Sequence, residues 1–134
     1  MIGSLESLLT PSLVTFDPEP AHLVGTGGAI GAICRHLVYQ RLSFDSVPVA
    51  TLAVNVLGSF VFALVTFAGA SESAVLLVGI GACGAFTTFS TFSVETVQLW
   101  ERGEHGLAVV SALANLFVSL AGIGLAWGLA LVTL

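Results

Sequence analysis

The segment GAFTTFSTFS, residues 84–93, decides how the chain is read. It carries three phenylalanines, Phe86, Phe89 and Phe92, and five hydroxyls, on Thr87, Thr88, Ser90, Thr91 and Ser93. It lies inside an apolar run covering residues 74–100. No water serves hydrogen-bonding groups in hydrocarbon. So many hydroxyls either bond back to their own helix or line something polar. Gly79, Gly81 and Gly84 run up to the hydroxyls and weaken a helix locally. A break there would free backbone carbonyls in the membrane centre, where they can coordinate a cation.

Working outward, the 134 residues are 56% hydrophobic and 8% charged, with a mean hydropathy of +1.04. A soluble domain carries about 25% charged residues, so this chain cannot build a water-facing surface and reads as a membrane protein. Apolar runs cover residues 22–40, 47–69, 74–100 and 106–134. Each reaches the ~20 residues of a spanning helix. Alternating barrel strands are absent, so the spans are predicted to be helices. The connections around 40–48, 69–73 and 101–105 are short, and Pro48 stands where a helix tolerates a missing N–H. The expectation is an all-α membrane protein whose residues 22–134 form one domain of four transmembrane helices.

Residues 1–21 contain Glu6, Asp17, Glu19 and three of the four prolines. They lack the basic start of a signal peptide and read as a flexible or surface-lying extension. The net charge is −5 and there is no lysine, which argues against nucleic acid as a partner. Cys34 and Cys83 both fall in predicted spans and read as small core residues. No metal-binding cysteine or histidine spacing is found, and GTGGAIG (25–31) lacks the preceding strand of a phosphate loop.

Orientation rests on Arg41 and Arg102, which four spans place on one side. The positive-inside rule makes that side cytoplasmic, but a bias of two residues lets a chain insert both ways. Gly27 and Gly31, with Gly28 and Ala32 alongside, suit close helix packing within one chain or between two equally well.

Two spans carry polar stripes at i, i+4, i+8: Thr51, Asn55 and Ser59 on the second, and Ser111, Asn115 and Ser119 on the fourth. A single such residue is ordinary helix glue, worth roughly 1 kcal/mol. Two matched stripes read as the walls of a polar path. The walls offer O–H and N–H donors, and the nearest carboxylate, Glu95, lies toward the end of its span. A cation path wants carboxylates or carbonyl rings, so a donor-rich path suits an anion. Phenylalanine ring edges can face an anion, or the rings simply pack. Arg35, within the first span, needs a partner, water or the interface, and reads as a structural or vestibule residue.

GGAIGAICRH (27–36), TLAVNVLGSF (51–60) and GACGAFTTFSTFSVE (81–95) together resemble, in order and spacing, the signature segments of the Fluc fluoride channels, the CrcB family. The resemblance covers residues 22–134. It implies a four-helix subunit with a broken third helix, paired in an antiparallel dual-topology dimer with two pores. It implies a structural sodium ion at the dimer centre, held by backbone carbonyls of both subunits, here those of Gly84 and Thr87. Phe89 and Phe92 match the family's pore phenylalanines. Asn55 matches its pore asparagine, with Thr51 one turn earlier, and Ser90, Thr91 and Ser119 fall near its polar track. Arg35 matches its first-helix arginine and Glu95 its third-helix glutamate. Ala85 follows Gly84 where many members have a second glycine, and His36 stands where a tyrosine is common.

The function this implies is passive export of cytoplasmic fluoride across the cell membrane, with no reaction catalysed. A negative-inside membrane drives an anion out by about 2.3 kcal/mol per charge per 100 mV. The expected partners are the fluoride ion, membrane lipid, and a second subunit, either identical or a sister chain. Two other readings stand beside it. A small four-helix multidrug/proton exporter needs a carboxylate in its first helix, and residues 22–40 contain none. A non-transporting assembly subunit gains little from doubled polar stripes.

Overall fold

A computed structural model describes residues 19–42 and 47–133, and every extended element among them is helical. Helix α1 is Glu19–Leu42 and α2 is Val49–Phe67. The next segment, α3, starts as Glu72–Ala74, continues as a π-helix over Val75–Cys83 and closes as Gly84–Phe86. Helix α4 is Phe89–Glu101 and α5 is His105–Thr133. Three stretches are long and apolar enough to cross a membrane: Val49–Phe67, Glu72–Glu101 and His105–Thr133. Helix α1 begins within the predicted N-terminal extension, with Pro20 in its first turn, where its missing N–H leaves no bond unmade. The rest of that extension, residues 1–18, lies outside the described residues.

The turns follow from local chemistry. Pro48 precedes α2 as expected. The Ser71 hydroxyl accepts from the Ala74 N–H and starts α3. Gly69 (φ 64°) and Gly103 (φ 80°) take the left-handed conformation after α2 and α4. An exposed Arg102–Glu104 pair at 3.1 Å bridges the last turn.

The glycine pair of α1 serves packing inside the chain. Helix α1 packs chiefly on Val75–Cys83 and Gly84–Phe86. A Cβ at Gly27 would overlap the Leu77 carbonyl oxygen, and one at Gly31 the Ala82 carbonyl oxygen. From the other side, a Cβ at Gly81 would stand 2.7 Å from the Val24 oxygen. Backbone therefore meets backbone along this seam. The facing stretch is nine residues of π-helix, a geometry that usually occurs as a single turn near a functional site. Helix α2 packs on α5 and on the π-helix, and α4 on α5.

Of the two cysteines expected in the core, Cys83 is buried but Cys34 is exposed. Cys34 shares the helix side of Gly27 and Gly31 by spacing, yet its side chain is left exposed. The buried core is thin and built of small residues, with Val54 and Leu99 its largest aliphatic members. Large apolar side chains such as Ile33, Leu57, Phe117 and Val132 point outward, as in a chain whose solvent is lipid or a neighbouring subunit.

Gly31→Val is expected to lower the detergent-solubilised melting temperature by several degrees or to prevent folding, since backbone has to move to admit the side chain. Gly124→Ala, where an added Cβ meets nothing within 4 Å, is expected to leave it unchanged.

Candidate functional site

The hydroxyl segment contains the one place within 72–101 where the backbone leaves helical geometry. Thr87 (φ −78°, ψ 161°) and Thr88 (φ −151°, ψ 120°) are both extended. The sequence pointed to the glycines as the weak place. Instead Gly84 stays helical at φ −61°, ψ −38°, and the departure falls on two β-branched residues, which favour the extended region.

Each polar group at the departure has a partner. The Thr88 N–H donates to Asn55 Oδ1 at 2.8 Å, and Asn55 Nδ2 donates back to the Thr88 carbonyl at 3.1 Å. The second Nδ2 hydrogen goes to Asn115 Oδ1 at 3.0 Å, and Asn115 Nδ2 donates to the Ser111 carbonyl at 3.2 Å. The Thr88 hydroxyl accepts from the Thr91 N–H at 3.1 Å, capping α4, and donates to the Thr91 hydroxyl at 2.9 Å. The Thr87 hydroxyl and N–H both donate to the Cys83 carbonyl at 3.0 Å. The amides of the two polar stripes therefore meet on one strip of extended backbone.

Two cavities flank Thr88. The first, about 360 Å³, is lined by Asn55, Phe89, Phe92 and Ser119, together with Ser59, Thr88 and Asn115. The Phe89 and Phe92 rings lie 5.8 Å apart at 45°, and Phe89 is 80% exposed on the single chain. The second cavity, about 370 Å³, is lined by Arg35, His36, Tyr39, Thr88, Ser90 and Thr91 with Ala32. Of the predicted pore residues, four thus share the first cavity, while Ser90 and Thr91 share the second with Arg35.

Thr51 lines neither cavity. It is fully buried, its hydroxyl 2.6 Å from the Tyr39 hydroxyl. Glu95 also lies outside both linings, with Oε2 enclosed and without a hydrogen-bond partner. Arg35 reaches the departure itself, Nη1 donating to the Thr87 carbonyl at 3.3 Å. Gly84 and Thr87 line a third cavity of about 210 Å³ with Gly58, Ser59 and Cys83. In a continuous helix Thr88 N–H would serve the Gly84 carbonyl; here it goes to Asn55. The Thr87 carbonyl keeps a lone pair beyond the one facing Arg35. Two such hard oxygens fit an alkali cation chemically.

Two residues carry more of this geometry than the sequence reading gave them. Thr88 is 7% exposed, borders both cavities and is tied at N–H, C=O and hydroxyl. Asn115 completes the amide chain. Its place in the Ser111–Asn115–Ser119 stripe was the available signal; nothing in the sequence distinguished Thr88 from its hydroxyl neighbours.

Helical in its elements among the described residues, with three stretches there long and apolar enough to cross a membrane, the chain is a multi-pass integral membrane protein. Residues 22–128 match the family described as CrcB-like protein, Camphor Resistance (CrcB). The chain belongs to this family. It is 56% identical over 111 residues to a protein of Haloarcula marismortui named fluoride-specific ion channel FluC 2, covering 83% of this chain and 93% of that one. It is 47% identical over 108 residues to fluoride-specific ion channel FluC 1 of Halobacterium salinarum, with 81% and 91% covered. A bacterial relative from Agrobacterium fabrum, named fluoride-specific ion channel FluC, is 45% identical over 116 residues, covering 79% and 93%.

Asn55→Ala orphans the Thr88 N–H and carbonyl together and is expected to cost about 1–3 kcal/mol. Asn115→Ala removes fewer bonds at the departure and is expected to cost less. Thermal unfolding of the two variants in detergent checks the order.

Proposed function

We propose that the chain is a fluoride channel, passing the anion down its electrochemical gradient and so lowering cytoplasmic fluoride. The observation that carries this is the first cavity, where Phe89, Phe92, Asn55 and Ser119 converge beside the start of α4. Fluoride holds its water tightly, so a path for it needs a series of donors in place of hydration. The cavity offers Ser59 and Ser119 hydroxyls and the electropositive edges of two phenylalanine rings. Thr88 and Phe89, at the N-terminal and therefore positive end of the α4 dipole, also line it. Among the described residues no carboxylate lines the cavity. Asn55 spends both amide hydrogens on Thr88 and Asn115. In this reading it holds the wall in shape more than it contacts the ion.

The reading extends to architecture. Helix α1, 24 residues long, is the first of four spans, less apolar than the other three because it carries Arg35 and its glycine seam. The third span is α3 plus α4, interrupted at Thr87 and Thr88. Two chains pair in antiparallel orientation, which suits the weak charge bias of Arg41 and Arg102. Pairing covers the exposed Phe89 and turns each open cavity into an enclosed pore. At the centre, the Gly84 and Thr87 carbonyls of both chains hold a structural sodium ion. Thr51 and Tyr39 brace the pore wall from behind, and Ser90 and Thr91 continue the polar track on the Arg35 side. Glu95, in a vestibule role, accepts a donor from the second chain at its unpartnered oxygen.

Purified protein in liposomes is expected to release fluoride rapidly and chloride not at all, read with ion-selective electrodes. Phe92→Ile and Asn55→Asp are each expected to cut fluoride efflux by tenfold or more while the protein stays folded and paired. Unchanged efflux in both would remove the assigned pore. Exchange of sodium for an organic cation is expected to lower the melting temperature, and equal stability in both buffers would count against the sodium site.

A further inference from the structure

The second cavity has a composition unlike the rest of the molecule. The chain has three arginines, three histidines and a net charge of −5. Yet Arg35 and His36 line one cavity of about 370 Å³, with the hydroxyls of Tyr39, Thr88, Ser90 and Thr91 and, among the described residues, no carboxylate. Two basic side chains facing four hydroxyls, walled by an apolar body, make a receptor for a small anion.

His36 is the variable member. Its Nε2 stands 3.0 Å from Gln40 Nε2, one turn along α1. The amide nitrogen can only donate, so Nε2 is the acceptor in this contact. Protonation turns Nε2 into a donor and abolishes that bond. The amide must then rotate to offer its oxygen, or the new N–H is released toward the cavity. Histidine is the side chain whose charge ordinarily changes between pH 5 and 8.

The surroundings determine what a second positive charge would meet. On α1 the neighbours are Arg35, whose Nη1 is directed to the Thr87 carbonyl, and Tyr39. From α4 come Ser90 and Thr91, with Thr88 at its cap, all uncharged. Glu95, one turn beyond Thr91, lies outside the lining. From α2, Thr51 meets Tyr39. Among the described residues no carboxylate shares the cavity with His36, so an anion is the available counter-charge.

We infer that His36, exposed and lining the Arg35 cavity, is an anion-collecting residue, and that its protonation raises the rate at which fluoride enters. The inference rests on the channel reading above. Focused charge at a low-dielectric mouth raises association rates steeply and is weakened by salt.

The test compares fluoride efflux from liposomes at about pH 5.5 and about pH 8, the range over which histidine charges, with leak from protein-free vesicles subtracted at each pH. Wild type is expected to pass fluoride about threefold faster or more at the lower pH, with the difference shrinking as ionic strength rises. His36→Gln is expected to conduct at the slower rate at both pH values. His36→Lys is expected to conduct at the faster rate at both. A pH response that survives in His36→Gln, or a wild type that conducts equally at both pH values, overturns this inference and leaves the channel reading intact. A wild type that passes no fluoride at either pH overturns the channel reading and this inference together.

Discussion

The pairing of Asn55 with the backbone of Thr88 is the contact on which the rest of the site depends. Hydrocarbon supplies no partner for an exposed N–H or C=O, so a transmembrane helix cannot leave helical geometry unless other protein groups take over. Asn55 takes both groups of one residue, at 2.8 and 3.1 Å. Its remaining amide hydrogen ties α2 to Asn115 on α5. One side chain thus fixes the extended strip against two helices at once. The strip aims Phe89 and Phe92 to one side and Ser90 and Thr91 to the other. Thr88 is shared because both sides begin there. Its hydroxyl restarts the helix by capping Thr91.

The glycine seam between α1 and α3 supports this from behind. Gly27 and Gly31 bring the α1 backbone against the carbonyls of Leu77 and Ala82, an approach no side chain would allow. It brings Arg35 within 3.3 Å of the Thr87 carbonyl. A wider spacing would withdraw the guanidinium from that carbonyl. The π-helical turns of Val75–Cys83 lie along the same seam, where Gly79 and Gly81 give the backbone the latitude it needs.

Charge is used sparingly and locally. The body of the molecule is apolar, and two of its few basic groups, Arg35 and His36, line one cavity. The exposed pair Arg102–Glu104 at the α4–α5 turn contributes little to stability, as surface pairs generally do. In the channel proposed above, the wall donors replace the ion's water and the cavity of Arg35 and His36 gathers the ion.

Much was legible in the sequence. Composition, run lengths and short connections determine a helical membrane protein, because a chain 8% charged cannot solvate itself in water. The periods of Thr51–Asn55–Ser59 and Ser111–Asn115–Ser119 place both amides on helix faces, and the hydroxyl run of 84–93 marks polarity at depth. Only the tertiary structure decided what those groups do. The Gly27–Gly31 pair is compatible in sequence with contact inside one chain or between two, and the overlap with Leu77 and Ala82 places it inside. Glycines 79–84 looked weakest, yet the helix yields at Thr87 and Thr88, because that is where Asn55 from another helix reaches the freed N–H and C=O. Cys34 and Cys83 look alike in the sequence and differ in burial, which only the packed structure shows. Periodicity specifies the face of a helix a residue occupies; which partner fills that face depends on contacts between segments distant in the chain.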